Sequence, residues 1–503
     1  MNQKLNKDVL ITTPIYYVND KPHIGSAYTT LVCDSVSRML KLKGHNVYFM
    51  TGTDEHGQKV EKAALNTGKE PQVFVDEVSQ HFRDLVNHMQ ITPSRFIRTT
   101  EPDHAKAAQT LWKAIKDNGH IYLGSYDGWY ALRDEAFYAE DELVDGKAPT
   151  GAEVEWVSEP SYFFKLSEFQ DKLLEHIKNN LDFIQPTSKR NEVVRFIEGG
   201  LKDLSISRTT FKWGIPVAED PKHVMYVWLD ALTNYLTALG YPNIEGENFQ
   251  KFWPHCIHFI GKDILRFHAV YWPAFLMAAG LDVPQHVYAH GWWTNEGQKI
   301  SKSLGNTIDP IALIDEFGID AVRYYLLREV PLGNDGNFSK ASLIGRLNSD
   351  LANSYGNLVR RITSFIHVHC QGMVPQHSEF SEQEIALFQT GLELGQKANI
   401  FNITHFIDDI NQYVHHLNKY VDEMAPWKLK NTNRELMEHI LYVALEAIKR
   451  ITILYLPFIP IAAEKVLDAL NIDENHQLYE NIGVNLKSGN SIKEIDVLFQ
   501  KKI

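Results

Sequence analysis

The stretch Val9-Leu10-Ile11-Thr12-Thr13-Pro14-Ile15-Tyr16-Tyr17-Val18-Asn19-Asp20-Lys21-Pro22-His23-Ile24-Gly25-Ser26 constrains the fold more than any other in the chain. An apolar run short enough for a buried strand ends in a turn carrying two prolines, and a helix is expected to begin just after His23. Tyr28, Leu31, Val32, Val36, Met39 and Leu40 keep the 3.6-residue period of a helix, and Gly44 supplies the stop. Unpaired amides at such a helix N-terminus attract an anion, and His23 and Ser26 add side-chain donors at the same spot. The outline is that of a phosphate site. The same residues also read as a strand, turn and helix whose histidine merely caps, so a second stretch is needed to decide between the two.

Asn46-Val47-Tyr48-Phe49-Met50 reads as the next strand and leads into Thr51-Gly52-Thr53-Asp54-Glu55-His56-Gly57. Strand, helix and strand at this spacing form a parallel unit, whose ligands sit beyond the carboxyl ends of the strands. At that edge Asp54-Glu55-His56 suits either a metal or, through one carboxylate, a ligand ammonium. The deciding stretch lies far downstream, at Lys299-Ile300-Ser301-Lys302-Ser303, after Val287-Tyr288-Ala289-His290-Gly291. Alone, two lysines three apart are a solvated loop. Together the two stretches resemble the HIGH and KMSKS signatures of class I aminoacyl-tRNA synthetases, here His-Ile-Gly-Ser and Lys-Ile-Ser-Lys-Ser. Within that class the surrounding residues most resemble the methionine-specific enzymes, from about Val9 to about Leu470.

The resemblance implies an α/β fold, a Rossmann-like doubly wound parallel sheet split by a connective insertion and followed by an all-α anticodon-binding domain. The expected divisions are 1–121 and 213–338 for the two halves of the catalytic domain, 122–212 for the insertion and 339–503 for the helical domain. It implies an ATP site of His23, Gly25, Ser26, Gly261, Asp263, Lys299, Ser301 and Lys302, with His23, Lys299 and Lys302 as the catalytic donors and Asp263 accepting from ribose hydroxyls. It also implies a methionine site of Ile15, Tyr17, Trp228, Ala231, Leu232, Tyr235 and His290, with Asp54 on the amino group. Trp228, Ala231, Leu232 and Tyr235 fall at i, i+3, i+4 and i+7, a stripe that is ordinarily core; an aromatic wall suits a thioether, since sulfur gains about 0.3–1.5 kcal/mol against a ring. Asn357 and Arg361, four apart on one helix face, and Trp427 fall where the family reads the anticodon CAU, and an aromatic platform beside Asn and Arg is what an unstacked base requires. The family's first motif commonly ends in a second histidine; here Ser26 stands there, a shorter donor without positive charge.

From about Tyr122 to about Lys212 the pattern turns to turns and aromatics. Many relatives carry zinc knuckles in this insertion, but no cysteine lies between Cys33 and Cys256, and Ala131, Arg133 and Asp134 stand where ligands would be expected. No structural zinc is expected, and an aromatic cluster is expected to hold the insertion. It is also too short for a hydrolytic editing domain. Cys256 and His258 are two apart, which alone makes no metal site. Thr307 to Arg328 is expected to be helical, and helical patterns dominate from about Ser339.

The formal net charge of −13 argues against a nucleic-acid partner unless basic residues gather locally, and Lys340, Arg346, Arg360, Arg361, Lys428, Lys430 and Arg434 are the candidates for such a stripe. Three widely separated cysteines and the lack of a long apolar run point to a reducing compartment, without secretory signal or membrane span, hence the cytoplasm. The expected activity is activation of L-methionine by ATP, with Mg²⁺ travelling on the nucleotide, then transfer to the terminal adenosine of tRNA(Met), the initiator included. A monomer is expected. The rivals are an isoleucine, valine, leucine or cysteine synthetase, a metabolite nucleotidyltransferase, and an inert RNA-binding relative.

Overall fold

The apolar run at the N-terminus becomes strand β1 (Asp8–Thr12), the midline of a seven-stranded sheet. The computed structural model describes residues 7–19, 21–134, 136–138, 140–300 and 306–503. By packing it divides into two units, Met1–Cys33 with Val47–His290, and Asp34–Asn46 with Gly291–Ile503.

The first unit is built on that sheet. Its further strands are β2 (Tyr16–Tyr17), β3 (Asn46–Asp54), β4 (Arg95–Arg98), β5 (Ile184–Gln185), β6 (Cys256–Gly261) and β7 (His286–His290), in the order β2-β3-β1-β6-β7-β5 with β4 also on β3. β1 and β6, β6 and β7, β7 and β5, and β3 with both β2 and β4 all pair in parallel. Such strands are covered on both faces, which is why β1, β6 and β7 are almost continuously buried. Packed under them are Trp112, Trp253, Trp272 and Tyr235, all fully buried. β1, β3, β6 and β7 deliver His23, Asp54, Gly261 and His290 to one edge, the carboxyl ends of the strands.

The stretch 122–212 lies only partly outside this sheet. Ile121–Ala131 and Glu155–Phe164 form a long antiparallel hairpin, flanked by Ala136–Tyr138 and Leu204–Ser205. Tyr122 stacks on Phe163 and Trp129 meets Trp156 edge-on. Asp134 accepts from the hydroxyls of Tyr138 and Thr150, and Arg133 donates to the Thr150 carbonyl. Ile184–Gln185, between helices Gln170–Asn179 and Thr187–Glu198, returns to the parallel sheet as its outer strand. A two-residue strand carries no period, so its sheet partner is invisible in the sequence.

In the second unit, helix Arg434–Tyr455 is buried from Ile440 through Tyr455, and the charged residues inside that span, Glu446, Lys449 and Arg450, are paired with one another. Ile403–Met424 packs against it through Phe406, Ile407, Ile410, Tyr413, Val414 and Leu417, a regular 3-4 stripe. The expected single helix from Thr307 to Arg328 is two, Pro310–Phe317 and Ile319–Arg328. Asp309 caps the first through the amides of Ile311 and Ala312, and Gly318, at φ 81° and ψ 150°, separates them in a conformation only glycine adopts freely. Trp293–Asn295, Gln298–Lys299 and Gly336–Phe338 form a small sheet that the sequence did not announce.

Candidate active site

The helix expected after His23 runs Ile24–Leu42. Its N-terminus is shaped by three neighbours. The Gly25 amide donates to His23 Nδ1 at 3.0 Å, so a neutral ring carries its proton on Nε2 and offers a donor there. A Cβ on Gly25 would come within 2.9 Å of His23 Cε1, which is why a glycine stands two residues after this histidine. Ser26 does not add a free donor: its buried hydroxyl accepts from the His23 amide at 3.1 Å and donates to the His23 carbonyl at 2.9 Å, inside the first turn. The protein surrounding the His23 ring pulls its pKa below the ordinary histidine value, against a smaller opposing pull from the Asp263 carboxylate.

That influence of Asp263 places the second loop beside the first. Gly261 is the sheet neighbour of His290. A Cβ on it would meet Asp263 Oδ1 at 2.5 Å and His290 Cε1 at 3.8 Å, so glycine lets the carboxylate fold back over the strand end. His290 Nε2 lies 2.8 Å from the hydroxyl of Thr29, on the His23 helix.

Of the residues expected around an amino-acid side chain, five share one hydrophobic core, and His290 lies beside Thr29 and Tyr28. Ile15, Tyr17, Trp228, Leu232 and Tyr235 belong to or pack on one hydrophobic cluster, and Ala231 is buried on the same helix, Val227–Thr237. Asp54 pairs in register with Tyr17 at the end of β3. Two residues without an expected role complete the wall. Trp228 stacks on Phe267 at 3.7 Å between ring centroids, and Tyr235 lies 2.8 Å by its hydroxyl from His268 Nε2. His268 Nδ1 is 3.0 Å from the Ile264 carbonyl and must donate to it, so Nε2 accepts the tyrosine proton. Burial drops the His268 pKa to about 4, leaving the ring neutral near pH 7. Phe267 and His268 sit in a π-helical turn, Phe267–Tyr271, whose wider spacing hides them from a search for 3.6-residue periodicity.

Behind this wall His258 is buried, 2.7 Å from the Thr12 hydroxyl, and Cys256 is its buried neighbour in β6. Among the described residues no group of three or more histidine, cysteine or acidic side chains is arranged to hold a metal ion. Lys299 lies in strand Gln298–Lys299; its side chain, and Ser301 and Lys302 entirely, fall outside the described residues.

In the second unit the Arg361 guanidinium lies 5.2 Å from the Trp427 ring centroid and donates to Asp422 at 2.9 Å. Its Nε and Nη2 are buried without a hydrogen-bond partner among the described residues. Asn357 is exposed one turn earlier on the same helix, Asn357–His369. The seven basic residues do not form one free stripe, since Lys340 pairs with Glu316, Arg346 with Glu329 and Arg434 with Glu438.

Comparison with known proteins agrees across the chain. Residues 9–156 and 142–363 match the family model described as tRNA synthetases class I (M), and residues 374–503 match that of the anticodon binding domain of methionyl tRNA ligase. The chain is 53% identical over 507 residues to a methionine–tRNA ligase of Rickettsia conorii, covering 99% of this chain and 100% of that one. It is 48% identical to a methionine–tRNA ligase of Brucella suis, covering 94% and 93%. Among solved structures it is similar to Mycobacterium tuberculosis methionyl-tRNA synthetase in complex with methionyl-adenylate, with a TM-score of 0.96 at 43% identity over 98% of this chain and 100% of that one.

Proposed function

The chain belongs to the methionyl-tRNA synthetases of class I, and from that premise we propose how its residues share the reaction. It is an ATP-dependent ligase that joins methionine to tRNA by way of methionyl-adenylate. A methionine carboxylate oxygen attacks the α-phosphate; the new P–O bond forms as the bond to pyrophosphate breaks. No covalent bond to the protein is needed, so catalysis is positioning and neutralisation of charge on phosphate oxygens. The helix N-terminus and His23 Nε2–H serve as neutral donors, and Lys299 and Lys302 bring the positive charge. Mg²⁺ arrives with ATP as part of the substrate. Asp263 accepts from the ribose, and Ser26 acts through the turn it braces.

Asp54 holds the ammonium group of methionine, and Trp228, Leu232, Tyr235 and Ile15, with Phe267 and His268, hold its side chain. Selection follows from a wall both apolar and uncharged: one methylene more or less is worth about 1–3 kcal/mol. The methionyl group then passes to the 2′-hydroxyl of the terminal adenosine, the ester bond forming as the anhydride bond breaks and AMP leaves. Asn357, Arg361 and Trp427 read the anticodon, with the Arg361 guanidinium beside a ring on which an unstacked base can lie. We further infer a cytoplasmic monomer acting on initiator and elongator tRNA(Met), with an insertion that needs no zinc. Among the described residues no helix is long and apolar enough to cross a membrane.

The observation that carries the pocket assignment is the Tyr235–His268 hydrogen bond beside the Trp228–Phe267 stack, at the sheet edge that also bears Asp54 and Asp263. A panel of amino acids in ATP–pyrophosphate exchange tests it. Methionine alone should support exchange, and Tyr235→Ala should cost methionine binding far more than ATP binding. Exchange with another amino acid, or equal losses for both substrates, would overturn the assignment.

A further inference from the structure

One buried cluster in the first unit is not used by the chemistry above. Asp230, on the pocket helix Val227–Thr237, is fully buried, its Oδ2 2.7 Å from His56 Nδ1 and its Oδ1 2.7 Å from His104 Nε2. Burial alone would raise the pKa of this carboxyl; the two histidines outweigh it and hold the value at about 2. Asp230 is therefore an acceptor, and each histidine presents an N–H to it.

His56 is two residues beyond Asp54, and the segment between them is gripped on its other sides as well. Trp213 Nε1 donates to the Glu55 carbonyl at 2.6 Å, the Gly57 amide donates to the Trp213 carbonyl at 3.0 Å, and the indole meets the His56 ring edge-on. The Glu55 carboxylate, fully buried, accepts Arg98 Nε at 2.7 Å and Nη2 at 2.9 Å, and the Thr53 hydroxyl at 2.7 Å. Glu55 ties the segment to β4 through Arg98, and Trp213 ties it to the stretch between strands Ser207–Arg208 and Pro216–Val217. The Asp230–His56 bond ties it to the helix that also carries Trp228, Ala231, Leu232 and Tyr235.

We propose that Asp230, acting through His56, is a positioning residue that sets the distance between the Asp54 carboxylate and the side-chain pocket, so that an α-amino acid is measured from its ammonium to its side chain. This rests on the assignment of Asp54 and the pocket helix made above. Neither Asp230 nor His56 touches the substrate. Their effect falls on methionine and spares ATP, whose site is built on other strands.

The test uses the full chain in ATP–pyrophosphate exchange, with methionine and ATP varied separately. An asparagine amide reaches the position of Nδ1, whereas a glutamine amide reaches that of Nε2 and misses Asp230. His56→Asn should keep the methionine KM within about threefold of wild type, and His56→Gln should raise it roughly tenfold, as expected for losing one charge-assisted hydrogen bond, with the ATP KM unchanged. Equal behaviour of the two variants, or parallel rises in both KM values, would overturn the proposal. Asp230→Asn with unaltered methionine KM would do the same. Asp54→Asn separates the premise from the proposal: an unaltered methionine KM there removes the ammonium assignment itself, whereas a large rise there with no effect of His56→Gln removes only the coupling. Thermal melts show whether each variant folds, and should either His56 variant fail to fold, Asp230→Asn, read by the same two KM values, decides the proposal.

Discussion

At residue scale the structure explains positions that composition cannot. Gly25 is needed because a Cβ would press on the His23 ring, although alanine is the better helix former. Gly25→Ala should leave the melting temperature near wild type while adenylate formation falls roughly 10- to 100-fold, since a catalytic group displaced by about 1 Å costs that much. Unaltered exchange would mean that His23 does not act from this position. His268 makes a second prediction. Its folded pKa, about 4, lies below the ordinary 6.5, so between those values the unfolded chain binds more protons and stability rises with pH. Above pH 6.5 this contribution is whole; as the pH falls to 4, about 3 kcal/mol is lost. His268→Gln, which cannot titrate, should show a flatter denaturation midpoint across that range, and equal slopes would contradict the buried neutral ring. His23 and the Gly25 spacing were legible in the sequence. The inward commitment of the Ser26 hydroxyl was not, because a serine at that position has the same letter whether it faces ligand or backbone.

At the scale of elements, what the sequence expressed well was whatever repeats. The buried strands β1, β6 and β7 and the stripe of Ile403–Met424 follow directly from apolar runs and the 3.6-residue period. What it expressed poorly was interruption. The π-turn holding Phe267 and His268, the two-residue strand Ile184–Gln185, and the break at Gly318 all depart from a fixed period. Gly318 has a measurable consequence. At φ 81° and ψ 150° a side chain is strained, so Gly318→Ala should lower unfolding free energy by about 1–3 kcal/mol in a urea titration, without a change in the slope of the transition. A neutral substitution would mean that the two helices can join without that conformation.

At the scale of the whole molecule, the proposed anticodon residues can be told apart from the activation residues by assay. Trp427 and Arg361 belong to the second unit, and amino-acid activation needs no tRNA. Trp427→Ala should raise the KM for tRNA in aminoacylation at least about tenfold, the worth of one base stacked on an aromatic ring, and leave methionine-dependent exchange within about twofold. Parallel losses in both assays would place Trp427 in the fold of the unit rather than at the anticodon. The sequence by itself determined the strand–turn–helix at the N-terminus, a parallel strand–helix–strand unit and the family, because those depend on local periodicity and on short motifs. Only the tertiary structure decided that His268 is neutral and bonded to Tyr235, that Asp230 is shared by His56 and His104, and that Lys340, Arg346 and Arg434 already have acidic partners. Protonation, hydrogen-bond partner and counter-charge belong to neighbours in space, 174 residues apart for His56 and Asp230, and no local pattern carries that information.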